Sequence, residues 1–165
     1  MRKPLTALAL SAAAAATGIA TATVGAGTAG AAPVTCPEIP QDRIDSAIAS
    51  IAPPMPGVPW VVEAMGGSVD CTLNWVSLGI HGTVSSPRQV LLFDRQKFAG
   101  TPTKKAHGYT SVVGSNGPGQ ITVRFKWLNP GDANANPPGS ADVRFQTMPQ
   151  DTPQPLDPIP PQVAD

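Results

Sequence analysis

The sequence has little charge, and neither sign dominates. Of its 165 residues, 13% are charged, with 11 basic against 11 acidic residues. Proteins that bind nucleic acids or anionic membranes carry clusters of Lys and Arg. Beyond the N-terminus, the basic residues here stand at most in pairs, such as Lys104 with Lys105 and Arg124 with Lys126. We therefore expect no nucleic-acid partner.

Residues that perform chemistry are also scarce, with two histidines and two cysteines in the whole chain. The sequence contains no G-x-S-x-G nucleophile motif, no glycine-rich phosphate loop and no C-x-x-C zinc motif. A segment that begins at Asp132 opens like an EF-hand calcium loop. It has Pro137 where that loop needs glycine and Val143 where it needs glutamate. We expect no catalytic residues, no cofactor and no metal.

One enzymatic alternative remains open. His81 and His107 each precede a glycine, which favours a position in a turn or at a strand end. The alternative function is a secreted hydrolase with dispersed catalytic residues, for instance His107 with Asp94 and a nearby serine.

The N-terminus has the three parts of a secretory signal peptide. Arg2 and Lys3 form a positive end, and residues 5–24 carry no charge. Small residues follow and end in an A-x-A pattern, which predicts cleavage after Ala31 or Ala32. A transmembrane anchor is the alternative, but the stretch is rich in Ala, Thr and Gly, which insert less readily than Leu, Ile or Phe. We predict a signal peptide over 1–31 and no transmembrane anchor after cleavage.

The remaining chain is short enough for one domain. We predict a secreted domain over 32–147 and a proline-rich tail over 148–165. The tail holds six prolines in eighteen residues, a composition that favours an extended, partly disordered segment.

The two cysteines are expected to form a disulfide. An exported protein reaches an oxidising compartment, where thiols pair, and Cys36 and Cys71 are the two cysteines of the chain. The alternative is two separate buried thiols.

A short amphipathic helix is predicted over 42–52. Asp42 stands at the expected N-cap, and Pro53 stops the helix. One face is apolar, with its residues at helical spacing: Ile44, Ala47, Ile48 and Ile51. A helix this short is unstable alone, so this face must dock on another element.

The remainder of the domain is predicted to form a sheet. Ile121, Val123, Phe125 and Trp127 alternate with polar residues, the period of a strand with one wet face. Val143 and Phe145 alternate in the same way, and 90–93 is a dense apolar run that suits a central strand. Further strands are expected at 60–64, 72–80 and 109–113. The predicted fold is α+β, an antiparallel sheet of five or six strands with the helix packed on one face.

Aromatic residues are few, at 5% of the chain. Because a small domain needs most of its aromatic side chains for packing, core positions are the simpler interpretation of Trp60 and Trp75. The alternative places both in an apolar ligand groove between the helix and the sheet.

Five segments together resemble the LppP/LprE family of mycobacterial envelope lipoproteins: 71–76 (CTLNWV), 86–93 (SPRQVLLF), 100–103 (GTPT), 123–127 (VRFKW) and 143–145 (VRF). The resemblance spans roughly residues 71–145. It implies an exported, envelope-associated protein and supplies no catalytic residues.

The sequence departs from the family's lipoprotein label. Lipidation of a cysteine calls for a Leu-like residue three places before it and a small residue directly before it. Pro33 and Thr35 occupy those places before Cys36, so the lipobox is absent. We therefore predict that Cys36 forms a disulfide and is not lipidated.

Export, the resemblance and the missing motifs favour a non-enzymatic protein that is secreted, or associated with the cell envelope or cell wall. Its expected partner is an envelope component or an apolar small ligand such as a lipid.

Overall fold

The structure is a computed structural model, and it describes residues 35–149 and 151–164. The predicted signal peptide and its cleavage site at Ala31 or Ala32 lie outside the described residues.

Between residue 35 and the first strand, the chain forms one helix. The helix α1 spans Gln41–Ala49, and Ile44 and Ala47 are its buried residues. It is shorter than predicted, since Ser50 already turns back to donate its backbone N–H to Ala47 O. Asp42 lies in the first turn and does not cap the helix. The N-cap position belongs to Pro40, whose carbonyl accepts from Arg43 N.

In the part of the chain that the structure describes, eight antiparallel strands form two sheets, so the expectation of one sheet with five or six strands was wrong. The first sheet has the order β1-β2-β3-β4 and the second the order β5-β6-β7-β8. The strands are β1 (Val61–Gly67), β2 (Leu73–Gly79), β3 (Gln89–Asp94), β4 (Lys97–Gly100), β5 (Ser111–Gly117), β6 (Gln120–Trp127), β7 (Gly139–Met148) and β8 (Asp151–Pro155). The short strands β4 and β8 were missed.

The strand β3 explains why two sheets are needed. Four consecutive residues, Val90–Phe93, are fully buried, so both faces of β3 must be covered. Val90 and Leu92 face a core shared with β6 and β7, whereas Leu91 and Phe93 face a core shared with α1. The fold is therefore three layers, with α1 on the outer face of the first sheet and the second sheet on its inner face.

The second sheet follows the predicted alternation. Ile121, Val123 and Phe125 are fully buried in the core between the sheets. On the opposite face, Arg124 of β6 and Asp142 of β7 form a two-pronged ion pair, with both N–O distances at 2.7 Å. One face of this sheet is thus apolar and the other polar, as its period of two predicts.

The proline-rich tail is ordered over its described residues, so the prediction of disorder was wrong there. Strand β8 pairs with β7, and it tolerates Pro153 and Pro155 because it is an edge strand. Val163 is 2% exposed in the core between the sheets. Asp157 accepts hydrogen bonds from the side chain and backbone of Arg144, which lower the pKa of this carboxyl to about 2.

Replacing Val163 tests the role of the tail. V163D places a carboxylate in an apolar core, and we expect it to lower the free energy of unfolding by about 2 kcal/mol or more. L156D changes a residue that is 48% exposed and should lower it by about 0.5 kcal/mol or less. Urea titration of both variants gives the comparison. Equal, small effects would mean that the tail does not dock.

Candidate functional site

The segment before α1 is tied to the first sheet by a disulfide. Cys36 and Cys71 are joined in the structure, as the sequence predicts, with 5.3 Å between their Cα atoms. Cys36 precedes the helix, and Cys71 lies in the turn between β1 and β2. Cys71 has a φ of 58°, in the left-handed region that disfavours side chains other than glycine. Contacts with surrounding residues must therefore stabilise this turn.

Asp70 holds the turn with its carboxylate. Its oxygens accept hydrogen bonds from Ser68 Oγ at 2.7 Å, from Thr72 Oγ1 at 2.8 Å and from Gly119 N at 2.7 Å. Gly119 belongs to the turn between β5 and β6, so Asp70 links the two sheets. Ser115 Oγ of β5 adds a second link by donating to Gly67 O at 2.6 Å. We call this group of contacts the Asp70 clamp.

These hydrogen bonds change the acidity of Asp70. Its slight burial raises the pKa, but the hydrogen bonds from Ser68, Gly119 and Thr72 outweigh burial and hold the pKa well below its ordinary value. The carboxylate is therefore charged at neutral pH and acts as an acceptor. It does not have the raised pKa of a general acid.

A cleft opens beside the disulfide, and we call it the disulfide cleft. Its volume is about 400 Å³, within the range of small-molecule sites, about 300–1,000 Å³. One wall is the segment 35–39, and the other is the end of β1 from Met65 to Gly67. Most of the lining is apolar, and Met65 keeps 43% of its surface exposed.

Asn74 also lines this cleft and is 3% exposed. Its side-chain amide donates to Cys71 O at 3.2 Å and to Arg95 O at 2.7 Å. Its oxygen, Oδ1, is buried and accepts no hydrogen bond from the residues that the structure describes. Buried polar atoms without a partner are rare in folded proteins.

The structure does not bring Trp60 and Trp75 into a common groove, so that interpretation was wrong. Trp75 packs against the core between the sheets, over Gly66 of the neighbouring strand. Trp60 packs against the core under α1, and its indole N–H donates to Ala52 O at 3.0 Å. The two rings lie on opposite faces of the first sheet.

The candidate hydrolase residues are also apart. His107 exchanges backbone hydrogen bonds with Arg88, just before β3 begins, whereas Asp94 ends that strand. Six residues of strand separate the two positions, about 20 Å. A triad built on His107 and Asp94 is therefore not assembled.

Asp70, Asn74 and Met65 are functional candidates that the sequence analysis did not identify. The pattern Ser68-x-Asp70-x-Thr72 is a recognisable local hydrogen-bonding turn. Its contact with Gly119 spans 49 residues and has no local signal.

Within residues 35–149 and 151–164, no group of three or more His, Cys, Asp or Glu side chains could hold a metal ion. No helix in these residues combines the length and the apolar character that a bilayer crossing requires.

The fold and the site define a small, disulfide-bonded, mostly β domain with an apolar cleft. Comparison with known proteins then gives the family. The family model described as LppP/LprE lipoprotein matches residues 68–150. This chain belongs to the LppP/LprE lipoprotein family, which confirms the resemblance noted in the sequence.

The relatives found are mycobacterial. A protein named lipoprotein LppP from Mycobacterium bovis is 32% identical over 136 residues, which covers 74% of this chain and 77% of that protein. Proteins of the same name from two strains of Mycobacterium tuberculosis match to the same extent. No solved structure matches the chain.

The Asp70 clamp predicts a stability that depends on pH. Because the pKa of Asp70 is lower folded than unfolded, its contribution is present above the unfolded value of about 3.9 and is lost as pH falls below it. We expect D70N to lower the free energy of unfolding by about 1 kcal/mol at pH 7. Chemical denaturation at several pH values should show this difference shrinking towards pH 2.5.

The matched control is D42N, on the exposed first turn of α1. A D70N effect of the same size at pH 7 and pH 2.5 would contradict an ionised clamp.

Proposed function

We propose that this protein is an exported, non-enzymatic protein of the cell envelope that binds an apolar ligand in the disulfide cleft. The observation that carries the proposal is the cleft itself. It is open, mostly apolar and lined by the half-exposed Met65. A concave, mostly apolar cavity lined by a small number of polar groups is the arrangement typical of a small-molecule site.

Envelope association is supported by the family, whose description is a lipoprotein, and by the names of the mycobacterial relatives. Export is supported by the signal-peptide pattern at the N-terminus. The disulfide supports it further, because such bonds persist in oxidising compartments.

The mode of attachment differs from that of a lipoprotein in our proposal. Lipidation needs a free cysteine thiol, and the sulfur of Cys36 is bonded to that of Cys71. With no lipobox before Cys36, the mature protein is released or held at the cell wall without a lipid of its own.

A binding role fits the separation of the candidate catalytic groups. His107 and Asp94 lie at opposite ends of β3, and the most perturbed acid, Asp70, is a structural acceptor. The favoured activity is therefore recognition by shape and apolar contact.

Binding of simple alcohols tests the proposal. We expect 1-hexanol and 1-octanol to bind the mature protein and to shift the amide NMR signals of β1 and of the Asn74 side chain. Each buried methylene should contribute about 0.8 kcal/mol, so octanol should bind about 15-fold more tightly than hexanol.

M65E should weaken octanol binding at least tenfold, because it puts a carboxylate on the apolar wall. M55E is the matched control, since Met55 and Met65 are both 43% exposed and Met55 does not line the cleft. No binding up to the solubility limit of octanol, or equal binding by M65E and the wild type, would overturn the proposal.

A further inference from the structure

The orientation of the Asn74 amide determines what the disulfide cleft can recognise. Its nitrogen donates to the carbonyls of Cys71 and Arg95, so the nitrogen and oxygen of the amide are not interchangeable. The amide oxygen, Oδ1, must then point away from these two carbonyls. A side-chain carbon placed on Gly67 would lie 2.2 Å from Asn74 Oδ1 and 2.6 Å from Cys36 Sγ.

Gly67, Cys36 and Asn74 all line the disulfide cleft. Asn74 Oδ1 and Cys36 Sγ therefore fill the place that a side chain on Gly67 would take, and the glycine lets the amide oxygen lie directly against the backbone at the cleft wall. The facing wall, residues 35–39, is in neither helix nor strand, so it has no ladder of backbone hydrogen bonds to break when a small group enters.

The missing partner of Asn74 Oδ1 is a hydrogen-bond donor. A buried acceptor that is unpaired among the described residues is unfavourable. A ligand that supplies an O–H or N–H at this point gives Asn74 Oδ1 a hydrogen bond. A ligand without a donor leaves this oxygen unpaired.

Charge narrows the choice of donor. Glu38 lines the same cleft and is exposed, so a carboxylate headgroup would be repelled. An ammonium group would be attracted to Glu38 but would lose its hydration beside Pro37 and Ile39, a cost that can exceed the attraction between the two charges. An uncharged donor avoids both penalties.

From these contacts we infer that the disulfide cleft takes an aliphatic chain whose end carries an uncharged hydrogen-bond donor, a hydroxyl or a primary amide, bound to Asn74 Oδ1. The chain lies along Pro37, Ile39 and Met65. This inference rests on the proposed function and adds the class of headgroup.

The test compares three ligands of similar size on the unchanged protein: 1-octanol, its isomer heptyl methyl ether, and octanoate. Octanol should bind about five- to tenfold more tightly than the ether, which has the same atoms but no donor. It should also bind more tightly than octanoate. Octanol, but not the ether, should shift the side-chain amide signals of Asn74.

A variant separates the two parts of the inference. E38Q should improve octanoate binding severalfold while leaving the ratio of octanol to ether unchanged. D42N, which also removes one carboxylate, at the exposed start of α1, should leave all three affinities unchanged.

The outcomes are distinct. If none of the three ligands binds, the proposed function itself fails. If all bind and the ether equals octanol, the cleft is apolar but the role of Asn74 Oδ1 is wrong. If octanoate binds more tightly than octanol, or E38Q leaves octanoate binding unchanged, the role of Glu38 is wrong.

Discussion

The bond between Cys36 and Cys71 is the constraint on which the first half of the structure depends. A nine-residue helix has little stability of its own, yet α1 covers the outer face of the first sheet. The disulfide holds the segment before α1 against that sheet across a separation of 35 residues. Chain-entropy arguments value such a link at about 4 kcal/mol, a large share of the roughly 5–15 kcal/mol that stabilises a typical domain.

The same bond shapes the cleft. Cys36 supplies part of one wall, and Cys71 supplies a carbonyl that orients the Asn74 amide. The Asp70 clamp then fixes the Cys71 turn against the second sheet through Gly119. The contacts that hold the structure together here, namely the disulfide and the turn at Cys71, are therefore also the ones that form the proposed ligand site.

Local patterns in the sequence predicted the elements better than their arrangement. The alternation around Val123 identified β6 and its wet face, and the apolar run at 90–93 identified a central strand. A strand buried on both faces is an apolar run whether a helix or a sheet covers it. The run at 90–93 therefore could not predict that a second sheet packs on β3. The tail was misread because proline content outweighed two apolar residues, Ile159 and Val163, whose burial depends on distant strands. The sequence did not identify Asn74, because its role depends on two backbone carbonyls, those of Cys71 and Arg95, that the fold brings to its side-chain amide.

Intact mass spectrometry of the mature extracellular protein, with and without reduction, tests the central claim most directly. The account predicts a chain that begins after Ala31 or Ala32, is two hydrogens lighter than its reduced form, and takes up no alkylating reagent until it is reduced. A diacylglycerol mass on Cys36, or two thiols that alkylate in the native protein, would contradict it.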